Sequence, residues 1–135
     1  MIIKTFEDFL QAASIQDQPQ RLLFVFTNAQ LPDDATEQQR ADFAAGEGGA
    51  LGPLMCVEKT VDEVPTFAAL AAEAVRAGPP WTIVFAAAMS GRGGVLPTSE
   101  EAMAPLQHMI DSILAGKLSG MLPFDRQGDP VQLSA

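Results

Sequence analysis

The sequence contains no tyrosine, one tryptophan, one histidine and one cysteine. With Cys56 alone, neither an intramolecular disulfide nor a multi-cysteine zinc site can form, and an unpaired thiol fits a reducing compartment. Lacking tyrosine and any phosphate-binding fingerprint, the chain has few of the usual parts of aromatic cages and common nucleotide folds. Positive charge is also scarce: 8 Lys and Arg against 17 Asp and Glu give a formal net charge of -9, and no segment concentrates the cations. Nucleic acid and anionic membrane are therefore not expected partners, because phosphate binding draws on clustered cations. The acidity reads as solubility and like-charge repulsion. The N-terminal stretch MIIKTFEDFLQAA lacks an apolar run of signal-peptide length, so it reads as mature structure and a cytoplasmic location is expected.

What is present suits one globular domain over residues 1–135. Hydrophobic residues make up 47% and charged ones 19% of the 135 residues, and a chain of this size buries roughly two-thirds of its surface. Thr5 is a suitable N-cap for a helix with Phe6, Phe9, Leu10 and Ala13 on one face, ending near Ser14. Leu22 to Phe26 is a short continuous apolar run of buried-strand type, followed by a polar loop from Asn28 to Asp34. Thr36 with Gln39 has capping-box spacing for a short helix through Ala45, anchored by Phe43. Gly46 to Pro53 reads as loop, and Leu54 to Val57 as the second strand. Thr60 with Glu63 forms a second capping box, opening a helix with Pro65 in its first turn and Gly78 beyond its end. Trp81 to Met89 is almost wholly apolar and reads as the central strand. Thr98 with Glu101 is a third capping box, before a helix with Pro105 inside it, expected to kink the helix or shift its start. Gly120 to Phe124 reads as an edge strand, and Asp125 to Asp129 as the loop of a hairpin into Pro130 to Leu133.

This alternation predicts an α/β sandwich: a mixed, mostly parallel sheet of four or five strands, four helices and a C-terminal β-hairpin. In such sheets ligands sit beyond the carboxyl ends of strands. The candidate ligand-binding residues are accordingly Asn28, Lys59 and the glycine-rich loop Ser90, Gly91, Arg92, Gly93 and Gly94. Glycines can turn successive N–H groups toward an anion, and Arg92 is the one cation between Arg76 and Lys117. The loop matches neither a dinucleotide-binding fingerprint nor a P-loop, so a plain crossover turn is the competing reading. Cys56, set in an apolar strand, reads as a buried structural thiol. His108 lies off the main apolar stripe of its helix, where Asp111 at i+3 is the acid within reach. The pairs Asp62-Glu63 and Glu100-Glu101 fit helix N-termini better than metal binding, and Asp33-Asp34 is a third acidic pair. No catalytic residue, metal site or cofactor is assigned.

At Leu22–Phe26, Gly46–Leu51, Leu54–Thr60, Ser90–Gly94 and Phe124–Gly128 the chain resembles a family of small bacterial proteins often labelled ribonucleotide reductase subunit alpha. The resemblance covers nearly the whole chain and implies no site residues. Reductase catalysis uses several cysteines, whereas Cys56 stands alone, so the label implies at most an accessory to ribonucleotide reduction. The leading expectation is a non-enzymatic cytoplasmic binding or interaction domain, with a homodimer through the C-terminal edge strand or the Met-rich fourth helix. The alternative is a small enzyme or anionic-ligand sensor using Arg92, Ser90, Asn28 and Lys59.

Overall fold

Thr5 Oγ1 accepts the Asp8 N–H at 3.1 Å and starts helix α1 (Phe6–Ser14), whose Phe6, Phe9, Leu10 and Ala13 are buried as their spacing predicts. The computed structural model describes residues 3–30, 34–44 and 50–132. After α1 follow β1 (Gln20–Gln30), α2 (Glu37–Ala44), β2 (Ala50–Thr60), a 3-10 turn (Val61–Glu63), α3 (Phe67–Ala77), β3 (Ile83–Ser90), α4 (Ser99–Leu114) and β4 (Leu122–Phe124). The side chain of the expected anchor Phe43, the glycines at 46, 48 and 49, Asp33 and Leu133 lie outside what is described.

The sheet has the order β2-β1-β3-β4, and every neighbouring pair is antiparallel, which overturns the mostly parallel expectation. Phe24 stands opposite Val57 on one side and Ala86 on the other. The physical reason lies in the coverage of the sheet. A continuous apolar run requires burial on both faces, and helices on both faces bury an antiparallel strand as well as a parallel one. The connection through α2 returns the chain beside β1 as a long hairpin would, and the connection through α4 returns β4 beside β3. Of these links α3 alone crosses over, carrying the chain from β2 past β1 to β3.

The two faces of β1 organise two cores. Leu22, Phe24 and Phe26 pack with Phe6, Phe9, Phe67, Leu70 and Phe124 beneath α1 and α3. Leu23 and Val25 pack with Phe85, Leu106, Met109 and Ile113 beneath α4. Each such side chain contributes about 1.5–3 kcal/mol by leaving water. Trp81 precedes β3 instead of opening it, and its ring meets Phe26 edge-on at 5.0 Å.

Local differences follow from prolines and caps. Thr60 N–H donates to Glu63 Oε1 at 2.8 Å, but the turn it opens stops at Glu63, because Pro65 disfavours helical geometry at Val64. Thr66 then caps α3, its Oγ1 accepting the Ala69 N–H at 3.1 Å. Strand β2 starts at Ala50, so Gly52 and Pro53 belong to it, with Pro53 at a register shift where Thr27 follows Phe26. Helix α4 starts directly at its Thr98 cap and contains Pro105. The C-terminal turn forms as a tight loop: Asp125 N–H donates to Asp129 O at 2.9 Å and Val131 N–H to Pro123 O at 3.1 Å.

Candidate functional site

An antiparallel sheet distributes the strand ends differently from a parallel one. Ser90 pairs with Gln20 and Lys59 with Leu22, so these residues share one end of the sheet. Asn28 pairs with Gly52 toward the opposite end. The eight residue steps from Gln20 to Asn28 span about 26 Å at roughly 3.3 Å each, so the structure does not bring Asn28 to the glycine loop.

The loop itself is a two-residue hairpin turn. Arg92 and Val95 exchange both backbone hydrogen bonds, at 3.1 and 3.0 Å, around Gly93 and Gly94. Both glycines have positive φ, 59° and 78°, the requirement of a type I′ turn. Two further amides are engaged: Gly91 N–H donates to Pro19 O at 2.8 Å and Gly94 N–H to Gln18 Oε1 at 2.8 Å. The loop is thereby tied to the α1–β1 turn. Ser90 Oγ accepts from Gln20 Nε2 at 3.0 Å. Lys59 Nζ lies 2.6 Å from Glu73 Oε1. Arg92 is exposed, forms no ion pair among the described residues and borders a cleft of about 290 Å³ that Glu101 also lines. Glu101 Oε1 accepts the Thr98 N–H at 3.0 Å, and this hydrogen bond, more than the nearby Arg92 charge, holds its pKa below the ordinary glutamate value.

Behind this loop a cluster appears that the sequence pattern does not announce. Arg21 Nε donates to Pro97 O at 2.6 Å, and Arg21 reaches Glu58 Oε1 at 3.4 Å. Ser99 Oγ donates to the same Glu58 oxygen at 2.7 Å. The cluster fastens β1, β2 and the start of α4 together. A lone arginine bordering the apolar run of β1 is the signal that points to it.

The two sheet edges differ sharply. Strand β4 has three residues, carries Pro123, and has the chain folded back over it through the Val131–Pro123 hydrogen bond and the Phe124–Pro130 bridge. Strand β2 has eleven residues and pairs with β1 alone among the described strands. Cys56 is exposed on it, which corrects the buried reading: its position faces the α4 side of the sheet, but at the edge strand the helix leaves it uncovered. Helix α4 lies over β2 and β1. Its flank bearing Pro105, His108 and Ser112 faces β3 across a cavity of about 240 Å³. The opposite flank, at positions 103, 110 and 114, is turned toward β2, and there Met103 is 67% and Leu114 66% exposed. Asp111, the acid within reach of His108, accepts instead from Gln107 Nε2 at 2.9 Å.

No group of three or more His, Cys, Asp or Glu side chains among the described residues is placed to hold a metal ion. No helix among them is long and apolar enough to cross a membrane. In comparisons with protein-family models, curated proteins and solved structures, the chain matches none.

Proposed function

We propose that the chain is a non-enzymatic interaction domain that takes a protein partner along the outer side of β2 and the adjoining flank of α4. The observation that carries this reading is the open β2 edge. Edge strands are ordinarily blunted by shortness, proline, free lysine or a covering segment, as β4 is. From Leu54 to Thr60, β2 has no proline, and its charged residues Glu58 and Lys59 are already held by Arg21 and Glu73. Exposed Met103 and Leu114 add apolar area beside it. An anionic ligand at Arg92 has less support, because the amides of Gly91, Arg92, Gly94 and Val95 donate within the protein and the Glu101 carboxylate lines the same cleft. A cytoplasmic setting goes with this reading, since an exposed lone thiol stays reduced there.

Incorporating a photo-crosslinking amino acid at position 103, with position 75 on α3 as the exposed control, tests the reading in living cells. Val75 is 59% exposed, so both sites tolerate the probe. A discrete adduct from position 103 and none from position 75 is expected. Equal labelling from the two sites, or no adduct from 103, overturns the assignment of the surface.

A further inference from the structure

Resting on that reading, we propose that the partner is a second copy of this chain, joined β2 to β2 about a two-fold axis normal to the sheet, giving an eight-stranded antiparallel sheet with both α4 helices on one face.

One symmetry operation accounts for both unpartnered features. Residues opposite each other in an antiparallel pair share a face of the sheet. At the Pro53 shift Leu54 is the residue of β2 without a β1 partner, so the regular stretch runs from Met55 to Thr60, and Val57 is the middle of Met55 to Lys59. With Val57 opposite its copy, the five residues from Met55 to Lys59 pair: Met55 meets Lys59 and Cys56 meets Glu58. The same axis brings the helices together. Helix α4 lies over β2 and β1. With strands about 4.8 Å apart, a helix midway between β2 and β1 stands about 5 Å from the axis. The two α4 axes are then about 10 Å apart, the distance at which helices pack, and the flank bearing Met103, Ile110 and Leu114 faces the same flank of the copy in antiparallel order.

Charge points to the same occupant. A chain of formal charge -9 approaches its own copy most easily where charge is compensated. On this surface Glu58 is paired with Arg21 and Lys59 with Glu73; Met55, Cys56, Val57, Met103, Gln107, Ile110 and Leu114 carry none, and the acids Glu100 and Asp111 stand at its rim beside Gln107. The area also sets the strength. About a dozen residues per copy, at the usual contribution per interface residue, bury about 650–950 Å² in total, the size of a weak, transient interface. A concentration-dependent dimer is the expected species.

Sedimentation equilibrium of the full chain tests the proposal, with the mass expected to rise with concentration toward twice 14.3 kDa. In the Val57-centred register the two Cys56 side chains are diagonal neighbours, about 7–8 Å apart, within reach of a short bis-maleimide. Crosslinking is expected to give one band of doubled mass. The double variant Met103→Glu/Leu114→Glu, altered at exposed positions only, is expected to remain folded, to sediment as monomer and to lose that band, whereas Val75→Glu keeps it. A chain that is monomeric at every concentration while position 103 still yields an adduct with another protein overturns self-pairing and leaves the interaction surface standing. A dimer unaffected by the double glutamate variant overturns the proposed interface.

Discussion

A Cβ built on Gly91 would lie 2.1 Å from the carbonyl oxygen of Val95. The contact is backbone, so no side-chain movement relieves it, and Gly91 also donates to Pro19 O. Gly91→Ala is therefore expected to destabilise the fold by about 1–3 kcal/mol or more. Gly93 and Gly94 have open space around them but left-handed backbones, so alanine at either is expected to cost about 1–2 kcal/mol. Urea denaturation midpoints should rank Gly91→Ala lowest. Equal midpoints for the three variants would mean the turn relaxes around Gly91.

The same hydrogen bonds bear on ligand binding. Phosphate or a small dicarboxylate meets one guanidinium at Arg92 and few amides left to donate, so neither is expected to raise the melting temperature of the wild type or of Arg92→Ala. A rise for one ligand class in the wild type, lost in Arg92→Ala, would restore this loop as an anion site.

Element positions were legible in the sequence wherever side-chain spacing and caps act locally. The Thr5, Thr36 and Thr98 caps all form, with Gln39 N–H donating to Thr36 Oγ1 at 3.1 Å and Glu101 N–H to Thr98 Oγ1 at 3.0 Å. Strand direction was not legible, because Leu22 to Phe26 records burial on two faces and says nothing about which way its neighbours run. The candidate residues inherited that error. Asn28 joins Ser90 and Lys59 only if β1 runs parallel to β2 and β3, and antiparallel pairing sends it to the far end. Cys56 was misread for a related reason: an apolar run at a sheet edge looks like one in the interior until strand order is known.

Trp81 is 1% exposed and its Nε1 has no hydrogen-bond partner among the described residues. Leaving a buried donor unmatched costs about 1–3 kcal/mol, which offsets part of what the large ring gains by burial. Trp81→Phe removes the orphan donor together with some volume, so its cost is expected to stay near 1 kcal/mol, whereas Trp81→Ala costs about 3–5 kcal/mol. Calorimetric melting of both variants checks this. A Trp81→Phe penalty as large as that of alanine would show that the indole N–H is satisfied.

Glu63 and Glu101 each have a lowered pKa, in both cases chiefly because the carboxylate accepts a backbone N–H, from Thr60 and Thr98 respectively. A carboxylate depressed in the folded state contributes stability that is present above its unfolded pKa, about 4.3 for glutamate, and lost as pH falls through the folded value. Stability is thus expected to decline on acidification below about pH 4.3, and Glu63→Gln/Glu101→Gln should flatten that decline while lowering stability at neutral pH. Thr98→Ala, which removes the cap itself, is expected to cost about 1 kcal/mol at pH 7. Denaturant titrations at pH 3 and pH 7 read both effects, and an unchanged acid slope in the double glutamine variant would assign it to other carboxylates.

Self-association of this chain carries a characteristic salt response. Each copy has a formal charge of -9, yet the charged side chains of β2 are neutralised within the copy, by Arg21 at Glu58 and by Glu73 at Lys59. The attraction at the dimer contact is then apolar and backbone hydrogen bonding, and the charge acting between copies is repulsion from the rest of the surface. Screening shortens from about 30 Å at 0.01 M to about 3 Å at 1 M ionic strength, so added salt removes repulsion without weakening the contact. The dimer is expected to tighten as sodium chloride is raised, and sedimentation at the two extremes measures the change. An interface built on ion pairs between copies responds in the opposite direction, so a dimer that loosens with salt would mean that Lys59 or Arg21 leaves its own glutamate to pair with one across the axis.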